Sequence, residues 1–225
     1  MENFFNIDWG MGPTEAPSGT TEPEPLDSPP AEPKGRKTRS HLKAKVYETS
    51  DKFEYRRAFS EVQLLDALGG SFRFKPGTAY HFLTAGNIDS LSFLKAVLRQ
   101  QDVAHLVVST WCMGADDILW FREQVERGRI KKMDLYLGEI FSGSYRTEFS
   151  MVKDLYNDHP ELGRYALFRS HSKIMAGTGD RFAFAIESSA NINTNPRTEN
   201  TVVTIDPGLY QFHKDYFDGI ISIEK

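Results

Sequence analysis

The chain has a single cysteine, Cys112, among 225 residues. That excludes an internal disulfide framework and makes a reducing compartment the default. No apolar run approaches the roughly 20 residues that a membrane-spanning helix needs. The opening MENFFNIDWG is acidic and too short in apolar length for a secretory signal, so the expectation is a cytoplasmic protein. Histidine is sparse: six are scattered without a Cys or His partner at ligand spacing, so no metal site and no cofactor are expected. Lys and Arg are absent from residues 1–33, where seven acids give −7. The next dozen residues reverse this, with Lys34, Arg36, Lys37, Arg39, Lys43 and Lys45 giving +6. The total of −4 therefore leaves −3 on residues 46–225, a near-neutral body that does not by itself announce a nucleic-acid binder.

Residues 10–33 are rich in Pro, Glu, Ser, Thr and Gly and have almost nothing apolar to bury, which predicts disorder. The expected division is a disordered tail with a basic linker over 1–45 and a folded domain over 46–225. At the very front, Phe4, Phe5, Ile7 and Trp9 form an aromatic cluster in an acidic setting. Its two readings are a docking motif for a protein partner and a cluster that packs on its own domain.

What is present from residue 60 onward is regular. Ser60 and Gln63 are spaced as a capping box opening a short helix that Gly69-Gly70 closes. AYHFLTA (79–85) reads as a strand, and Asn87 or Asp89 caps a helix with Leu91, Leu94, Val97 and Leu98 on one face. HLVVSTW (105–111) reads as a buried strand with Cys112 as a small hydrophobe at its end. Asp116-Asp117 start a helix carrying Ile118, Phe121 and Val125. MDLYLGEI (133–140) is the next strand and 145–158 the next helix. This alternation predicts an α/β fold with a mixed, mostly parallel sheet sandwiched by helices. RYALFRS (164–170) and HSKIMA (171–176) follow, then a GTGD turn (177–180), the strands RFAFAIESS and TVVTI, and a last helix opened by Pro207.

The chemistry concentrates on that ending. His171 and Lys173, two apart on an extended strand, project from one face. They set an imidazole beside an ammonium. Ser189 and Asn191, eighteen and twenty residues after His171, add hydroxyl and amide donors, and Glu199 follows. Such a set suits phosphoryl transfer.

At these residues the chain resembles the phospholipase D superfamily, specifically its small single-motif endonucleases, whose pattern is H-x-K-x4-D-x6-G-S-x-N with a glutamate beyond. His171, Lys173, Ser189, Asn191 and Glu199 match. The motif aspartate falls at Thr178, the nearest acid is Asp180, Ser188 replaces the glycine, and three extra residues are assigned to the GTGD turn. The resemblance covers about 145 residues. It implies that one histidine attacks phosphorus while a second, from another copy of the motif, protonates the leaving oxygen. Lys173, Ser189 and Asn191 would hold the non-bridging oxygens, and Glu199 would set the imidazole tautomer. It also implies independence of metal ions.

No second productive H-x-K occurs: His213-Lys214 are adjacent on a helix, and His41-Leu42-Lys43 lies in the basic linker. A complete site then requires a homodimer. Arg169 and Arg197 are the candidate substrate-binding cations. Arg146, Arg164 and Arg181 are further candidates for a groove along a phosphate backbone. The expected activity is a nuclease acting on nucleic acid. The alternatives are a phosphate-binding interaction module without catalysis and a phospholipid or small phosphodiester hydrolase.

Overall fold

In the computed structural model, residues 62, 64, 71–85, 88–192 and 197–224 are described. They all belong to the second of two units, Met1–Val46 and Tyr47–Lys225. The expectations of a disordered tail, a basic linker and an aromatic docking cluster lie outside the described residues. So do the Ser60 capping box and Asn87; Val62 and Leu64 are helical.

Among the described residues, seven strands form one sheet: β1 (Ala79–Thr84), β2 (Val103–Thr110), β3 (Met133–Gly138), β4 (Tyr165–Phe168), β5 (Ile174–Gly179), β6 (Ala183–Ser188) and β7 (Glu199–Thr204). The helices described over their full length are α1 (Ser90–Leu98), α2 (Ala115–Glu126), α3 (Arg146–Asp158) and α4 (Pro207–Asp218), with a 3-10 turn at Glu139–Ser142. Asp89 caps α1 by accepting from the Ser92 N–H at 2.8 Å. Asp117 turns back to accept from the Gly114 N–H at 2.7 Å. Asp206 caps α4, with Pro207 behind it, by accepting from the Leu209 N–H at 2.7 Å.

The sheet order is β1-β7-β6-β5-β2-β3-β4. The mixed α/β sheet is as expected, but its pairing corrects the expectation of a mostly parallel sheet. Only β2–β3 and β3–β4 are parallel, and the other four neighbours are antiparallel. The reason is connection length. Helices α2 and α3 give the chain room to cross over and return in the same direction, whereas the β5–β6 link is a tight hairpin that forces reversal. β1 closes the edge of the sheet against β7, Ala79 facing Thr204.

Period-two alternation divides the core into two layers. Leu106, Val108, Leu135, Leu137 and Leu167 face the layer built with Leu91, Leu94 and Val97 of α1, Ile118 and Phe121 of α2, and Val152 and Leu155 of α3. Val107, Tyr136 and Ala166, each one residue out of step, face Phe217 of α4. Helices therefore cover both faces, α1, α2 and α3 on one and α4 on the other. Arg164 fastens α4 there, its guanidinium donating to the Phe217, Asp218 and Ile220 carbonyls at 2.9–3.1 Å. These carbonyls lie at and just beyond the carboxyl end of α4, where intrahelical donors run out and a side-chain donor can hold the turn. Arg164 is thereby committed to the fold, which corrects its reading as a groove cation.

Under α4 lies a polar relay. His105 meets the Tyr210 hydroxyl through Nδ1 at 2.7 Å and Asp134 through Nε2 at 2.8 Å. The Arg164 N–H donates to the other Asp134 oxygen at 3.0 Å. Burial alone would raise the Asp134 pKa, but the hydrogen bonds from His105 and Arg164 outweigh it and hold the carboxyl below its ordinary range. A depressed carboxyl contributes stability above its unfolded pKa of about 4 and loses it as pH falls through the folded value. Asp134→Asn should accordingly be less stable than the parent at pH 7. In urea unfolding the gap should close towards pH 3; an equal gap at both pH values would contradict the assignment.

Candidate active site

The site lies where β5 begins. β5 starts at Ile174, so His171 and Lys173 sit in the segment leading into the strand rather than within it, which corrects the expected strand start by three residues. That segment is nevertheless pinned. The Ser188 N–H donates to the Lys173 carbonyl at 3.0 Å, which carries the β5–β6 ladder one residue beyond the strand. Ser172 Oγ lies 2.7 Å from Ser109 Oγ on β2 and 2.8 Å from Ser170 Oγ. Three hydroxyls thus fix the approach to the motif.

His171 is exposed and Lys173 is buried at 9% exposure. Lys173 Nζ donates to the His171 carbonyl at 2.7 Å and lies 2.9 Å from Nδ1 of the same residue. Burial lowers the Lys173 pKa, against the opposing pull of the Cys112 sulfur and the Glu199 carboxylate. An ammonium that gives up its proton more readily than usual therefore touches a solvent-facing imidazole.

Ser189, just past the end of β6, meets Glu199 at the start of β7: Ser189 Oγ donates to Glu199 Oε2, and the Asn200 N–H donates to Ser189 Oγ at 3.0 Å. Glu199 is 9% exposed. Its hydrogen bond goes to Ser189, and His171 is instead partnered by Lys173. Asn191 receives the Ser90 hydroxyl on its carbonyl at 3.1 Å, while its side-chain Oδ1 is buried without a hydrogen-bond partner among the described residues. Arg169 and Arg197 are exposed, two residues ahead of His171 and of Glu199 respectively. Arg181 is not brought here; it lies at the far end of β5. Thr178 is also remote, deep in β5 opposite His105 and Ala183. Gly177 and Gly179 belong to that strand, so the turn falls later than the GTGD segment.

Trp111 is a component that the sequence reading missed. Its ring lies 5.0 Å, centroid to centroid, from the His171 imidazole at 55°. The available signal was position: Trp111 follows the carboxyl end of β2, and such ends are where open α/β sheets hold ligands. The ring is seated on Gly138, where a Cβ would stand 2.7 Å from Trp111 Cδ1. Gly138→Ala should then cost roughly 1–3 kcal/mol by overpacking. Adding Trp111→Ala should recover most of that loss in a denaturant titration; simple additivity of the two losses would refute the contact.

No family model and no curated protein sequence matches the chain. Solved structures do show similarity. Polyphosphate kinase from Porphyromonas gingivalis superposes with a TM-score of 0.48 at 12% identity, over 66% of this chain and 27% of its own. NucT from Helicobacter pylori gives 0.45 at 15% identity, over 63% of this chain and 94% of its own. Phosphatidylserine synthase from Haemophilus influenzae gives 0.46 at 12% identity, over 69% and 42%. The chain thus matches about a quarter of the kinase and two fifths of the synthase.

In chemical terms the site offers an exposed imidazole, a buried cation at its side, a carboxylate-hydroxyl pair and, among the described residues, an unpartnered amide oxygen. No group of three His, Cys, Asp or Glu side chains arranged to hold a metal ion occurs among the described residues. No described helix is long and apolar enough to cross a membrane.

Proposed function

We propose that the domain from residue 46 onward is a phosphodiesterase of the phospholipase D type that cleaves nucleic acid through a phosphohistidine at a dimeric site. The observation that carries this reading is the exposed His171 imidazole held 2.9 Å from the buried Lys173 ammonium. His171 attacks phosphorus, and the P–O bond to the leaving group breaks. The leaving oxygen takes its proton from the imidazole of a second copy. Water then attacks the phosphohistidine, gives its proton back to that second imidazole, and frees His171. Lys173 neutralises charge gathering on the non-bridging oxygens, with Ser189 and Asn191 as neutral partners. Arg169 and Arg197, exposed and each two residues ahead of a motif residue, are assigned to the phosphate backbone on either side of the scissile bond. No metal enters this scheme.

One motif supplies one histidine, so the reading requires two chains meeting at a two-fold axis. Light scattering of the active protein at micromolar concentration should give twice the chain mass. An active monomer would remove the second histidine and with it the mechanism.

The module without catalysis is favoured by one observation: the Glu199 carboxylate engages Ser189 and not the imidazole it would orient. Nicking of plasmid DNA in EDTA by the parent, compared with His171→Ala, separates the two readings. Equal traces in both would leave the binding module.

A further inference from the structure

The end of the sheet away from His171 holds a second concentration of positive charge. Two adjoining hollows there, of about 180 and 260 Å³, share Leu98, Arg99 and Arg129. The first is also lined by Lys95 and Trp120, the second by Asp102, Asp180 and Arg181. Four cations thus face two carboxylates on a body that is otherwise net acidic. β5, six residues long, separates this cleft from Lys173 by about 20 Å at some 3.4 Å per residue.

The cleft is built before any ligand arrives. Gln101, only 6% exposed, ties the β5–β6 turn to the end of α1: its Nε2 donates to the Phe182 carbonyl at 2.9 Å, and its Oε1 accepts from the Arg181 and Phe182 N–H groups at 3.0 Å. The packing leaves no slack, since a Cβ on Gly179 would stand 2.3 Å from the Asp102 carbonyl oxygen. Arg129 lies across the floor, bonded to Asp102 at 2.5 Å and to the Leu98 carbonyl. Trp120 is partly buried in the wall, with Lys95 Nζ 5.7 Å from its ring centroid.

Guanidinium groups in a concave polar wall select an anion, and an indole beside them selects a flat ring. Repeated phosphates with a base between them combine both features. We propose that this cleft binds single-stranded nucleic acid, with a base against Trp120 and neighbouring phosphates on Arg99, Arg129 and Arg181, independently of the site at His171. The choice of nucleic acid rests on the proposed function; the built cationic cleft does not.

Fluorescence anisotropy of a labelled twelve-nucleotide oligothymidylate tests this, using the full chain with His171→Ala in EDTA so that the probe survives. Adding Arg99→Glu and Arg181→Glu, both at exposed positions, should raise Kd tenfold or more. It should also flatten the dependence of log K on log salt by about 1.4, the share of two phosphates on a single strand. The basic run 34–45 is common to both proteins and cancels in the comparison. Trp120→Leu should weaken the oligonucleotide roughly fivefold or more. It should leave the displacement of the probe by heparin, a polyanion without bases, at the parent heparin concentration once scaled for probe affinity. Unchanged affinity and slope in the charge-reversed protein, with an unaltered circular dichroism spectrum, would overturn the site. An effect of the arginines with none of Trp120 would overturn the stacked base. Absence of cleavage by the parent, with binding still lost on charge reversal, would sink the catalytic reading and leave this one standing.

Discussion

His171→Ala is expected to remove EDTA-resistant cleavage almost entirely, by roughly 10⁴-fold or more, because both the nucleophile and the general acid are this residue in the two copies. The fold should survive, since the side chain is exposed and its ring touches only Trp111 and Lys173 among the contacts described. A loss confined to catalysis, with an unchanged unfolding midpoint, is therefore the outcome to look for. Two further measurements make the result specific. An acid-labile, alkali-stable phosphoryl adduct should be trapped on the parent and be absent from the variant. Subunit exchange between equal amounts of parent and variant should leave about a quarter of the full activity, because only parent homodimers carry both histidines. Half the activity would mean that each chain works alone.

Lys173→Ala is expected to lower turnover by roughly 100-fold or more, the scale of one lost charge-stabilising donor where negative charge develops. Lys173→Arg should rescue little, since a planar fork cannot occupy the buried position from which Nζ reaches both the His171 carbonyl and Nδ1. The rate profile with pH carries a sharper test. Burial depresses the Lys173 pKa, so activity that depends on the charged form should be present at lower pH and fall as pH rises through a value below the ordinary lysine range. The Glu199 carboxylate pulls that pKa upward. Glu199→Gln should thus move the alkaline limb to still lower pH, through Lys173, besides releasing Ser189. An alkaline limb that stays in place in Glu199→Gln would show that the carboxylate does not act on Lys173.

Much of the fold was legible along the chain because its determinants are local. Asp89 and Asp206 accept from N–H groups three residues ahead of them, and a capping preference of that kind is visible in the order of residues alone. The unbroken apolar run Leu106, Val107 and Val108 marked a strand buried on both sides, and the two core layers that receive its alternate residues agree with that reading. The segments themselves came out within a few residues, the largest shift being β5, which begins after Lys173 instead of at His171.

Non-local partners were not legible. That β1 pairs with β7 at the edge, and that β5 enters antiparallel beside β2, depend on which strands lie within reach once the helices have packed. No residue in β1 encodes the name of its neighbour. The same holds for the candidate site. His171, Lys173, Ser189, Asn191 and Glu199 stand out in the sequence by type and spacing, which is information about which groups are available. Their pairing is different information. Glu199 meeting Ser189, Lys173 meeting the imidazole, and Trp111 arriving on Gly138 from another strand are set by backbone positions to within an ångström or two, and hydrogen bonds and ring contacts tolerate no more. The sequence by itself determined the elements, the faces they bury and the reactive groups they carry. Only the tertiary structure decided the order of the strands and which groups touch, because contacts between distant residues are chosen by the packing of the whole sheet and not by the residues on either side.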